Sequence, residues 1–137
     1  MKPDLTVKAL PWLRRVLLVA FVLSAGCGSE PPLPEETGRP IADTFLEEIR
    51  KGNVDTAWNG TSAEFKSLMG LDSFRRYVKS HPALKNPANF QEGKRIDKLQ
   101  LKLAECVYSI EKPKATRVRL VLAPENDVWK VERLEAE

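Results

Sequence analysis

Hydrophobic residues follow two different periods along the chain, and the change of period divides it into a helical part and a strand part. Between Ile41 and Val78 apolar residues recur every three or four positions, which is typical of amphipathic helices. From Arg95 onward apolar and polar residues alternate, as they do in strands with one buried face. The pattern therefore predicts an α+β domain over residues 41–137, with short N-terminal helices packed on a bent C-terminal antiparallel sheet.

The helical part is divided by glycine and asparagine stop signals, so we expect several short helices instead of one long helix. The predicted segments are Ile41–Lys51, Val54–Trp58, a helix opened by a capping box at Thr61–Glu64, and a helix capped by Asp72. In the first of these, Ile41, Phe45 and Ile49 share one face. Residues 81–93 contain two prolines and are predicted to form a loop.

In the strand part the apolar positions change parity once. Leu99, Leu101 and Leu103 alternate with polar residues, and the parity then shifts at Ala104–Glu105. We expect one long strand with a bulge at that point. Turns are predicted at 111–114 and 124–127, and short turns between consecutive strands imply an antiparallel meander whose apolar face the helices cover.

The first 26 residues have the organisation of a secretory signal. Arg14 and Arg15 precede an unbroken run of eight apolar residues, Val16–Leu23, which small residues follow. A membrane-spanning helix is the alternative, but it needs about 20 apolar residues. We therefore expect residues 1–26 to be a signal peptide that is removed on export.

The end of this segment, Leu23-Ser24-Ala25-Gly26-Cys27, resembles the lipobox of bacterial lipoproteins. Ala25 and Gly26 match that motif, whereas Ser24 occupies the position that usually holds leucine. The resemblance implies cleavage between Gly26 and Cys27 and a diacylglycerol on the Cys27 thiol. Two or more acyl chains anchor a protein stably to a bilayer. A cleaved signal without lipid is the competing interpretation.

The exported protein is then expected to begin at Cys27, as a membrane-anchored lipoprotein of the cell envelope. Gly28 follows the cysteine, where an aspartate would retain such a protein in the inner membrane, so the outer membrane is implied if the source has two membranes. Residues 28–40 include four prolines, and that stretch has no apolar periodicity. We expect residues 27–40 to form an extended tether.

Charge and composition exclude some functions. Residues 1–26 hold Lys2, Lys8, Arg14 and Arg15 against Asp4, which leaves 18 basic and 18 acidic side chains in residues 27–137. Nucleic-acid binding needs a surplus of positive charge, so no nucleic-acid partner is expected. His81 and Cys106 are too few ligands for a metal site, and no cofactor is predicted.

Two stretches of the domain resemble the cone-shaped superfamily of nuclear transport factor 2, ketosteroid isomerase and scytalone dehydratase. Phe45–Trp58 is similar to the opening pair of helices, with Gly52 in a polar turn. Asp127–Val131 is similar to the closing strand, in which a basic residue and an aliphatic residue follow Trp129. The resemblance implies a cone-like sheet that encloses any catalytic groups; a cystatin-like helix on a sheet is the alternative.

We identify no catalytic residues in the sequence. The superfamily uses carboxylates or a His/Asp dyad, but the only histidine is His81, which precedes Pro82 in a predicted loop. Asp97 and Glu105 alternate with the apolar positions of the strand part and are expected to be exposed.

The candidates for a binding pocket are aromatic. Trp58, Tyr77 and Trp129 are predicted to line one, although aromatic residues at this spacing also form cores. The preferred hypothesis is a non-catalytic binding or interaction module, anchored to the membrane through its N-terminal lipid. Its partner is expected to be an envelope protein or a small apolar ligand. An isomerase-like or dehydratase-like enzyme and a structural protein of envelope assembly are the alternatives.

Overall fold

The computed structural model describes residues 33–137 and confirms the α+β class. The helices are α1 (Pro34–Arg50), α2 (Val54–Asn59), α3 (Ala63–Leu68) and α4 (Leu71–Ser80), followed by a 3₁₀ turn at Pro82–Lys85. The strands are β1 (Asn89–Lys98), β2 (Leu101–Ile110), β3 (Thr116–Glu125) and β4 (Val128–Ala136).

The four strands form an antiparallel meander in which each strand pairs with the next along the chain. Cys106 lies opposite Leu120, and Leu120 lies opposite Leu134, so alternate residues of these strands share one face. The buried face of α1 packs with that face into one core. Phe45, Phe65 and Phe74 meet at its helical side with ring centroids 5.6–6.3 Å apart.

Helix α1 begins at Pro34, so the second half of the predicted tether is wrong: residues 34–40 are helical. Gly38 is buried, and a Cβ at this position would lie 3.1 Å from the Cβ of Ala104. The absence of a side chain thus lets the helix approach the sheet closely. Pro34 and the acidic Glu35 are favourable in the first turn of a helix. Pro40 lies inside the helix, where proline removes a backbone hydrogen bond, and the packing of α1 on the sheet offsets that loss of stability.

The single long strand predicted across residue 99 is also wrong. A two-residue turn, Leu99-Gln100, separates β1 from β2, and β1 begins at Asn89, inside the predicted loop. Residues 103–108 are buried without alternation, and β2 is an interior strand with a hydrogen-bonded neighbour on each side. The register shifts lie at Gln91 in β1 and Glu132 in β4, and not at Ala104–Glu105.

The outer edge of β4 is held by the helical part. Thr61 forms a parallel bridge with Val131, and the amide of Ser62 donates to the Val131 carbonyl at 2.9 Å. Further along the strand, the amide of Ala136 donates to the Tyr77 hydroxyl at 3.0 Å. The cap of α3 is Ser62, which accepts from the Phe65 amide, instead of the predicted Thr61.

Replacement of Gly38 by valine should lower the free energy of unfolding by about 1–3 kcal/mol, because the new side chain needs space that Ala104 occupies. Urea titration followed by far-UV circular dichroism measures this change. The control is Gly70→Val, where an added Cβ has no neighbour within 4 Å. Equal losses in the two variants would contradict the close packing of α1 on the sheet.

Candidate functional site

Helix α1 lies beside two open clefts, one on each side. The apolar groove, of about 420 Å³, lies between α1, α2 and the start of β4. Its lining residues are Ile41, Thr44, Phe45, Glu48, Thr56, Ala57, Gly60, Val128, Trp129, Lys130 and Val131. Most of these side chains are apolar or small, as in sites that bind apolar ligands.

Local structure fixes the shape of the apolar groove. Ile41 and Phe45 are one helical turn apart on α1, and the buried Val131 lies among the strand residues that line it. Trp129 follows the β3–β4 turn, whose central residues Asn126 and Asp127 have φ values of 51° and 63°. Such positive φ angles are typical of a type I′ hairpin, and asparagine and aspartate tolerate them.

A carboxylate fastens this hairpin to the helical part. Glu125 accepts a hydrogen bond from the Ala63 amide at 2.8 Å and pairs with Lys130 at 3.2 Å. These hydrogen bonds lower the pKa of the Glu125 carboxyl, that from Ala63 most strongly. The charged group therefore holds the hairpin beside α3 and keeps Trp129 at the groove.

The polar cleft, of about 730 Å³, lies between α1, the 3₁₀ turn and strands β1 and β2. Its lining residues are Arg39, Asp43, Thr44, Leu46, Glu47, Glu48, Arg50, Lys51, Leu84, Asn86, Ala88, Asn89, Phe90, Tyr108 and Ile110. Charges of both signs surround an apolar floor, so this cleft suits a ligand with polar and apolar parts.

A tyrosine–aspartate pair lies in the polar cleft. The Tyr108 hydroxyl donates to Asp43 at 2.5 Å, and the Arg39 guanidinium lies 3.8 Å from the centroid of the Phe90 ring. Burial, and then the hydrogen bond to Asp43, raise the pKa of Tyr108 well above its ordinary value. Tyr108 therefore keeps its proton, and its hydroxyl group serves as a hydrogen-bond donor to Asp43.

The charges at the rim of the polar cleft are largely paired with one another. Arg50 donates two hydrogen bonds to Glu47, at 2.7 Å and 2.5 Å, and these lower the pKa of the Glu47 carboxyl. Lys51 lies 3.9 Å from the same carboxylate. Such exposed pairs contribute little to stability, but they leave less charge available to an incoming ligand.

The three aromatic residues predicted to line one pocket do not lie together. Trp129 lines the apolar groove, whereas Trp58 donates from its indole N–H to the Met69 carbonyl at 2.9 Å. Tyr77 stacks on His81, with ring centroids 4.1 Å apart, and its hydroxyl holds the edge of β4. Neither Trp58 nor Tyr77 lines the apolar groove or the polar cleft.

The charged sequence candidates have separate environments. Asp97 is exposed as predicted, but the exposed position predicted for Glu105 is wrong. Glu105 is buried in the interior strand β2, where the Arg119 guanidinium of the neighbouring strand β3 pairs with its carboxylate at 3.1 Å. His81 contacts the Tyr77 carbonyl through Nδ1 at 2.8 Å. These groups do not form a catalytic dyad.

The predicted cleavage and lipidation sites lie outside the described residues. Gly26 and Cys27 precede residue 33, so the structure does not bear on the cleavage and lipidation sites. Within residues 33–137 no three His, Cys, Asp or Glu residues are grouped as metal ligands would be. In the same range no helix has the length and apolar character needed to cross a bilayer.

No family model and no curated protein matches this chain.

Cys106 should react with iodoacetamide only after unfolding. The thiol is buried beneath α1, and burial raises its pKa to about 11, so little nucleophilic thiolate forms at neutral pH. Mass spectrometry of the peptide that contains Cys106 measures the modification with and without urea. The control is Leu68→Cys, because Leu68 is 70% exposed and a thiol there should react in the folded protein. Equal rates at the two positions would contradict the burial of Cys106.

Proposed function

We propose that this protein is a lipid-anchored lipoprotein of the cell envelope whose domain binds a small apolar ligand without converting it chemically. The apolar groove beside Trp129 carries the binding part of the proposal. The lipobox-like segment that ends at Cys27 carries the anchoring part.

The groove supports binding because its walls come from three rigid elements. Helix α1 supplies Phe45, α2 supplies Ala57, and β4 supplies Trp129. Its volume of about 420 Å³ falls within the usual range of about 300–1,000 Å³ for small-molecule sites. Glu48 lies at the same site and can accept a hydrogen bond from a polar end of the ligand, whereas Lys130 is already paired with Glu125.

Binding is favoured over catalysis because the reactive groups near α1 are held in inactive forms. Tyr108 keeps its proton and donates a hydrogen bond to Asp43, and Cys106 is buried as a thiol. A general base must be able to reach a proton of the substrate, and a cysteine nucleophile must be ionised. At the apolar groove, the Thr44 hydroxyl donates to the Pro40 carbonyl at 2.9 Å and the Glu48 carboxylate accepts from Asn53 at 2.9 Å, so this hydroxyl and this carboxylate are not paired with each other.

The anchor is tested by metabolic labelling with palmitate. The wild-type chain should incorporate the label and partition into detergent, whereas Cys27→Ala should lose essentially all of it, because the modified atom is the Cys27 sulfur. Cys106→Ala is the matched control and should label like the wild type. Label that persists in Cys27→Ala would refute the anchor, as would an exported form that begins at another residue.

The groove is tested with a small aryl diazirine, which inserts into neighbouring side chains on illumination. We expect insertion at Val128–Val131 in the detergent-solubilised chain. Gly60→Leu should reduce it about tenfold, the effect of displacing about two buried CH₂ groups of a ligand. Gly60 has a negative φ, and an added Cβ would make ordinary contacts at 3.6 Å and 3.8 Å, so the variant should fold.

Gly70→Leu is the control for this experiment, because Gly70 lies outside the groove and its substitution has open space. It should leave insertion at Val128–Val131 unchanged. Equal insertion in wild type and Gly60→Leu would mean that the probe labels the exposed hairpin surface instead of a groove, and would contradict the binding proposal.

A further inference from the structure

The tip of the β1–β2 hairpin presents apolar side chains to water. Leu99 is 94% exposed and Leu101 is 55% exposed, and they flank the turn residue Gln100. Leu68 is also exposed, but it belongs to helix α3 and not to this hairpin. Single exposed leucines are ordinary, whereas two at the end of a hairpin form a small projecting apolar surface.

Basic residues surround these leucines. Residues 94–102 contain Lys94, Arg95, Lys98 and Lys102 against the single acidic residue Asp97. Within the described part of the chain, no carboxylate lies within 4.0 Å of Arg95, Lys98 or Lys102. The positive charge is local, because residues 27–137 are neutral overall. The hairpin tip is therefore complementary to an anionic surface.

The backbone at the tip carries a leucine where glycine is favoured. Leu99 has φ 57°, in the left-handed region, and it is the first central residue of a two-residue turn. Glycine adopts this conformation without steric cost, whereas a branched side chain is strained there. The strained leucine contributes nothing to the core, since it is almost fully exposed.

The start of helix α1 lies beside strand β1 of this hairpin. The side chain of Glu35, in the first turn of α1, lies so close to β1 that a Cβ at Gly93 would be 3.2 Å from the Glu35 Cβ. Leu99 lies six residues along β1 from Gly93, roughly 20 Å at the rise of a strand. The chain from Cys27 to Pro34 spans up to about 25 Å. An anchor at Cys27 therefore allows the tip to reach the same bilayer.

We propose that the tip of the β1–β2 hairpin docks on the anionic surface of the membrane to which Cys27 is attached. This inference rests on the proposed lipid anchor. Leu99 and Leu101 enter the boundary between headgroups and acyl chains, and Lys98 and Lys102 contact the lipid phosphates. The domain is then held at two points, which fixes its orientation on the membrane.

The test uses the full lipidated chain with an environment-sensitive fluorophore on Gln100→Cys. Cys106 is buried and Cys27 is acylated in this proposal, so the new thiol is the one that reacts. The protein is placed in vesicles of phosphatidylcholine alone or with added phosphatidylglycerol. In the anionic vesicles we expect a blue shift of the emission and quenching by brominated lipid, both reversed by high salt.

Variants of the chain labelled at Gln100→Cys separate the contributions of the lysines and of Leu99 to docking of the hairpin tip. Lys98→Gln with Lys102→Gln should lower the ratio of docked to undocked tips by more than about tenfold, since each lysine is worth about fivefold at an anionic surface. Lys112→Gln with Lys114→Gln, in the β2–β3 turn, should have no effect. Leu99→Gly should weaken docking while relieving the strained turn. In a separate chain without Gln100→Cys, a fluorophore on Lys112→Cys should stay in water, because the β2–β3 turn lies at the far end of β2 from the tip.

The outcomes distinguish the two proposals. A chain that does not stay with the vesicles overturns both the anchor and the docking of the tip. A chain that stays with the vesicles while the Gln100→Cys fluorophore remains in water overturns the docking alone. A blue shift in neutral detergent that grows with protein concentration also overturns it, because the tip would then contact a second copy of the chain.

Discussion

The packing of α1 across the sheet is the interaction on which the rest of the structure depends. Its 17 residues contact all four strands, and its buried face includes Ala42, Phe45 and Ile49. Gly38 lets the helix begin directly against Ala104. Because the apolar groove and the polar cleft lie on either side of this helix, its position sets the shape of both.

The sequence predicted those parts of the fold in which local pattern and tertiary structure agree. The amphipathic stretch predicted as Ile41–Lys51 is helical as far as Arg50, as its period of apolar residues indicated. Residues 34–40 have two prolines and a glycine, so their helix depends on burial against the sheet. The turn at Leu99 was missed because leucine gives no turn signal, whereas Asn126 and Asp127 do.

The candidate sites were less accessible from sequence, because residues far apart in the chain form them. The polar cleft joins Asp43 of α1 to Tyr108 of β2, 65 positions away. One signal was present: a tyrosine in an otherwise apolar stretch needs a partner for its hydroxyl when it is buried. Trp58 and Tyr77 instead use their polar atoms to join elements, and their spacing did not distinguish this role from pocket lining.

The covered edge of β4 limits how copies of this protein can associate. Growth of a fibre by strand addition requires an acceptor edge on each side of every sheet. Thr61, Ser62 and Tyr77 occupy backbone groups of β4 at Val131 and Ala136. While the helices remain in place, an added strand cannot pair with β4 at these positions, so strand addition at this edge first requires the helical part to move away.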